Sequence, residues 1–147
     1  MAVPSVAETA AVGQLIAARY RILRRLADGG MSQVWLATDE KLRRQVAIKK
    51  CALPDGLTAA EQRLVGTWTL RDARVVARVS HPHVIRILDV LPDTGEPWIV
   101  MEYVASRSLL QVIEDDGPLP PARVAQIGLA VLSALTAFAT LRLYVRL

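Results

Sequence analysis

Asparagine is missing from this chain altogether, histidine occurs only at positions 81 and 83, and Cys51 is the single cysteine. One thiol excludes an internal disulfide. The opening "MAVPSVAETA" carries Glu8 where a secretory signal would have a basic patch and an apolar run, so the expected compartment is the cytoplasm. Lysine is scarce as well: three lysines stand against 15 arginines, for a formal charge of +4. The arginines lie singly or in pairs among acids, as at Arg24 and Arg25 or Arg43 and Arg44. That scatter reads as solvated faces, with no nucleic acid as partner.

What is present suffices for one domain with a real core, since 52% of the 147 residues are apolar. Val124 to Leu141 runs 18 residues without a charge, at the lower limit for a membrane span. Within it Gln126, Ser133 and Thr140 recur every seven residues, opposite Ile127, Val131, Leu135 and Phe138, which favours a buried soluble helix over a membrane one. Residues 1–18 lack usable periodicity and read as a leader of uncertain order.

From Tyr20 onward the pattern is organised. Tyr20 to Ala27, Gln33 to Asp39 and Arg44 to Cys51 read as an antiparallel meander of three strands, the first two joined by a Gly-Gly turn. Thr58 with Glu61 forms a capping box that starts a helix reaching to about Val79. Ile85 to Leu91 and Trp98 to Tyr103 read as two further strands around the turn "PDTGEP". Ser108 with Gln111 caps a short helix, and Pro118, Pro120 and Pro121 precede a long one from near Ala122. The order is βββαββαα.

Two positions suggest chemistry. Adjacent glycines at a strand-to-strand turn, Gly29 and Gly30, let backbone N–H groups approach an anion such as phosphate, although a bare Gly-Gly also serves as a plain hairpin turn. No helix follows directly, which excludes a P-loop and a dinucleotide fingerprint. In "QVAIKK" period 2 puts Ala47 and Lys49 on one face, so the ammonium can sit beside a flat ligand's phosphates. Asp72, placed by helical period with Trp68, Val75, Val76 and Val79, needs a cation if it turns inward. Lys49 is the best-placed one, with Arg71 or Arg74 as alternatives should the carboxylate bend outward.

Four stretches together carry a resemblance. "LADGGMSQV" is similar to the glycine-rich loop L-G-x-G-G-M-[GS]-x-V, "VAIK" to the lysine strand, "LRDARVVARVSHPHVI" to the acidic helix with its His-Pro loop, and "WIVMEYV" to the fifth strand and hinge of bacterial eukaryotic-type serine/threonine protein kinases. The resemblance implies an α+β fold: a kinase-like amino-terminal lobe of five antiparallel strands and one main helix, followed by two carboxy-terminal helices. Its domain boundaries would be a leader at 1–18, lobe and hinge at 19–104, and an incomplete helical lobe at 105–147. It also implies ATP as cofactor. Leu26 and Val34 would form the apolar lid of the adenine pocket and Ala47 its ceiling. Gly29, Gly30 and Ser32 would lie over the phosphates, and Lys49 would hold the α- and β-phosphates while pairing with Asp72. Met101 would be the gatekeeper, and the backbones of Glu102 and Val104 would bond the adenine edge.

The sequence also departs from the family. Ala27 replaces the first loop glycine, and Asp72 replaces a glutamate one methylene longer. At an effective dielectric of about 20, a pair about 4 Å apart is worth up to about 4 kcal/mol, so lost reach matters. No H-R-D-x-x-x-x-N or D-F-G occurs, so the catalytic base and the magnesium ligands are missing; Asp115, Asp116 and Gly117 precede the long helix and are no D-F-G. A general base supplies about 10² to 10⁴ in rate. The expectation is a truncated kinase domain with weak ATP binding, no catalytic residues and no useful phosphotransfer, produced by a reading-frame shift or early stop. The alternative is a pseudokinase-like module that docks a partner protein or a second copy through the apolar helix 124–141.

Overall fold

The computed structural model describes residues 12–29, 32–92 and 97–145. Six strands form one antiparallel sheet: β1 (Leu15–Ile16), β2 (Tyr20–Gly29), β3 (Ser32–Asp39), β4 (Arg44–Cys51), β5 (Ile87–Leu91) and β6 (Trp98–Glu102). Three helices complete the chain: α1 (Ala59–Val76), α2 (Leu109–Asp116) and α3 (Pro121–Val145). The sheet order is β1-β2-β3-β4-β6-β5, so β4 joins the meander to the later hairpin.

Antiparallel partners directly opposite point to one face. Trp35 faces Ile48 and Ala37 faces Val46, while Ile48 faces Val100 on the other side. With Tyr20, Ile22, Ile16 and Trp98 these residues make the buried core, against which Leu88 and Leu91 pack. Alternation is what selects them.

The sheet is rolled around this core. β2 and β5 are separated by three strands in the order, about 19 Å in a flat sheet at the usual strand spacing. Yet the Tyr20 hydroxyl donates to Asp89 Oδ2 at 2.9 Å, from β2 to β5. Arg19 joins the same closure: its Nη1 lies 3.5 Å from Asp89 Oδ2, and its Nε and Nη2 donate to Asp39 at 2.9 and 2.7 Å. Asp39 is fully buried, at 0% exposure, and also accepts the Lys41 and Leu42 N–H groups, which fixes the β3–β4 turn. The Arg19 bonds hold the Asp39 carboxyl below its ordinary range, and burial, ahead of the bond to Asp89, pushes the Tyr20 hydroxyl well above its own.

Two expectations need correction. The sheet has six strands rather than five, because residues read as leader contain β1, paired to Tyr20 and Arg21. Its turn runs through Ala17 and Ala18 at φ of 49° and 52°, a left-handed conformation that alanine does not advertise. The helix expected to reach Val79 ends at Val76, with Ala77 as its cap. Both capping boxes are present, at Thr58 with Glu61 and at Ser108 with Gln111.

Because the folded-state Asp39 carboxyl is depressed, its contribution is complete above the unfolded carboxylate value and is lost as pH falls through the folded one. Chemical denaturation at a series of acidic pH values should show this loss, and Asp39→Asn should flatten it. Asp39→Ala, which strands Arg19, should cost about 3 kcal/mol at neutral pH. An unchanged denaturation midpoint would contradict the closure.

Candidate functional site

The face opposite the core carries a second set of aligned rows. Val34, Lys49 and Ile99 form one row, and Leu36, Ala47 and Met101 the next. Ala47 and Leu36 are buried at 7% and 5% exposure, while Val34, Lys49 and Met101 are half-buried. Four of the candidate residues, Val34, Ala47, Lys49 and Met101, therefore stand on one surface patch. Lys49 sits one row toward the hairpin from Ala47.

At the hairpin, Ala27 pairs with Val34 and Gly29 with Ser32. Leu26 is the extra residue of a bulge between Arg25 and Ala27, half-buried and outside the regular alternation. Ala27 keeps negative φ, so its methyl group brings no backbone strain. Gly30 lies outside the described residues, as does the side chain of Ser32.

At the other end, Glu102 closes β6. Its N–H donates to Arg86 O at 2.9 Å and its carboxylate accepts the Arg86 N–H at 2.7 Å. An adenine contact at Glu102 therefore falls to its carbonyl. Val104 follows in extended chain, half-exposed; among the described residues nothing accepts its N–H, which leaves a donor two residues past Glu102. A cleft of about 380 Å³ opens beside Glu102, bordered by Val79, His81, Val84 and Arg86.

Asp72 does not join this patch. α1 packs against β5, turning Gly66 and Ala73 inward with Val65, Thr69, Leu70 and Val76 half-buried. Asp72 is turned about 100° from its neighbour Ala73 and is exposed, as is Trp68 at 55%. Among the described residues no ion pair joins it to Lys49. The sequence reading grouped Asp72 with Trp68, Val75, Val76 and Val79; of these Val75 and Val76 are half-buried and Val79 is buried, while Trp68 and Asp72 are turned outward and the small residues Gly66 and Ala73 are the buried ones within the helix.

Among the described residues no three His, Cys, Asp or Glu side chains gather to hold an ion. Asp115 and Asp116 end α2 on the surface, both held by Arg107 at 3.3 and 2.6 Å.

A rolled antiparallel sheet with a lysine beside a small buried residue, one helix against its far edge and an extended hinge leading into helices defines the small lobe of a protein kinase. The sequence comparisons agree: residues 20–141 match the protein kinase domain, and the chain belongs to that family. Serine/threonine-protein kinase PrkC of Bacillus subtilis is 34% identical over 124 residues, covering 84% of this chain and 18% of that protein. Serine/threonine-protein kinase pkn3 of Myxococcus xanthus is 36% identical over 126 residues, covering 85% and 22%. The crystal structure of the Mycobacterium tuberculosis PknI kinase domain superposes with a TM-score of 0.71 at 28% identity, over 88% of this chain and 51% of that one. The chain thus spans about a fifth of the length of these curated relatives.

With Asp72 exposed and unpaired to Lys49, Asp72→Ala should change stability by less than about 0.5 kcal/mol and leave nucleotide affinity within about twofold. Parallel denaturation and nucleotide titration check this, and a loss comparable to that of a Lys49 variant would show that the pair forms after all.

Proposed function

We propose that this chain is the ATP-binding lobe of a serine/threonine protein kinase and carries out no phosphotransfer by itself. The observation that supports the reading is the shared face of Val34, Ala47, Lys49 and Met101, continued by the unpaired Val104 N–H. In this reading Ala47 and Val34 enclose the adenine, Leu26 borders it from the bulge, and the Glu102 carbonyl and Val104 N–H hold its polar edge. Gly29, Gly30 and Ser32 cover the phosphates, and Lys49 neutralises them. ATP would supply the transferable phosphoryl group; the lobe's part is to bind and orient it. Binding is expected to be weak, because among the described residues Lys49 pairs with no acidic side chain and no cluster of metal-ligating side chains assists it. Within residues 1–147 neither H-R-D nor D-F-G occurs, so no side chain is placed to accept the substrate proton. The site of action in this reading is the cytoplasm.

A second reading is a non-catalytic module that docks a partner kinase or another copy through α3. Its support is the apolar surface of that helix: Leu129, Leu132 and Leu135 are 68%, 61% and 57% exposed. The expectation of a buried helix is corrected here, since the sheet core does not reach α3. Pro121–Thr140 is also long and apolar enough to cross a membrane, by length and composition.

Titration of the parent and Lys49→Met with ATP and with adenosine separates the pocket from the scaffold. The variant should lose about tenfold in ATP affinity and none for adenosine, since the ammonium meets only phosphates. Equal ATP affinities would remove the pocket assignment. With magnesium, ATP and a generic protein substrate, no phosphate incorporation is expected; turnover like that of an intact kinase would overturn the non-catalytic reading.

A further inference from the structure

Where β5 and β6 end, one rung of the ladder is made by a side chain. The register runs through Ile87 opposite Met101, so the next residues out, Arg86 and Glu102, stand opposite each other. An antiparallel pair bonded directly across exchanges two bonds, each N–H donating to the other residue's carbonyl. Here the first is made: the Glu102 N–H donates to Arg86 O at 2.9 Å. The return bond goes elsewhere. The Arg86 N–H donates to Glu102 Oε1 at 2.7 Å, and no backbone bond among the described residues takes it to the Glu102 carbonyl. A carboxylate oxygen carries charge that a carbonyl oxygen lacks, and charge-assisted bonds are the shorter and stronger ones, so the side chain outcompetes the main chain of its own residue.

We infer that Glu102 is a positioning residue whose carboxylate takes the place of its own carbonyl in the ladder, and so keeps that carbonyl free to accept a hydrogen bond from a ligand's exocyclic amine. The inference rests on the nucleotide reading above and adds to it a source of base selectivity. Without the carboxylate, the bond from the Glu102 N–H to Arg86 O still holds the two chains in register. The Arg86 N–H is a donor that must find a partner, and the acceptor a regular ladder assigns to it is the Glu102 carbonyl. Once drawn into that rung, the carbonyl is turned from the ligand. The oxygen can only accept, so what it recognises on a base is an amine, and a base without one gains nothing from it.

The test titrates the full chain and two variants, Glu102→Gln and Glu102→Ala, with adenosine and with purine riboside, which is adenosine without its exocyclic amine. The parent should bind adenosine about fivefold tighter than purine riboside. Glu102→Gln keeps a side-chain oxygen for the Arg86 N–H and should hold that preference within about twofold. Glu102→Ala returns the carbonyl to the ladder, so its preference should fall to near one while its affinity for purine riboside stays that of the parent. A merely loosened fold would weaken both nucleosides together and leave their ratio alone. Independently of any nucleoside, the trans-hydrogen-bond coupling of the Arg86 amide nitrogen should reach the Glu102 carboxyl carbon in the parent and the Glu102 backbone carbonyl carbon in Glu102→Ala. An unchanged preference in Glu102→Ala, an equal loss in both variants, or coupling to the backbone carbonyl in the parent would overturn the inference and leave the nucleotide patch in place. A parent that binds neither nucleoside would remove the nucleotide reading and this inference with it.

Discussion

The closure of the sheet by Tyr20, Arg19, Asp39 and Asp89 is the constraint from which the rest follows. A flat six-stranded antiparallel sheet of this size would leave two broad faces for one 18-residue helix to cover. Rolling it brings β2 to β5 and encloses Trp35, Val46, Ile48, Trp98 and Val100 without help from helices. The polar tie sits at the rim of that core and uses every lone pair it can: Asp39 accepts two bonds from Arg19 and two from its own turn. Arg19 in turn lies over the Tyr20 ring at 4.8 Å. Since Tyr20, Ile22, Ala37 and Val46 claim the inner face by register, strict alternation leaves Ala47 and Lys49 to the other. The candidate patch is thus what the core does not use.

Much of this was legible in residue patterns, and the parts that were not share a cause. Strand β4 could be read to the residue because "RQVAIKKC" alternates, and its two faces could be separated for the same reason. Both capping boxes were readable because a cap is a local bond between side chain and backbone. β1 was not, since its turn is Ala17-Ala18, held in the left-handed region by the pairing of Ile16 with Tyr20 and not by turn-forming residues. The orientation of α1 was only partly legible: Val75 and Val76 are half-buried as expected, but Trp68 is exposed, and the small residues Gly66 and Ala73 take the buried positions of the helix. Asp72 is turned outward with Trp68. The contact of Ser133 with His81 was also hidden, since the two lie 52 residues apart in sequence.

The family's acidic helix and lysine strand are both here, but they do not meet. A shorter acid, a helix seated on β5 and a lysine two strands inward on β4 leave the two without an ion pair among the described residues. That arrangement separates two properties that a kinase ordinarily joins. In the proposed reading the adenine-facing row depends on the sheet register, whereas the placement of the phosphates would depend on α1. The apolar face of α3 belongs to the same picture, because the lobe seats that helix at one loop and covers little of it.

The account's central claim is that the row opposite the core is the nucleotide face. The most direct measurement is the amide and methyl footprint of adenosine on the isotope-labelled chain. Shifts concentrated at Val34, Ala47, Met101 and Val104, with Val46, Ile48 and Val100 unmoved, are what the account predicts. Shifts on the Val46, Ile48 and Val100 face, or saturating shifts confined to α3, would contradict it.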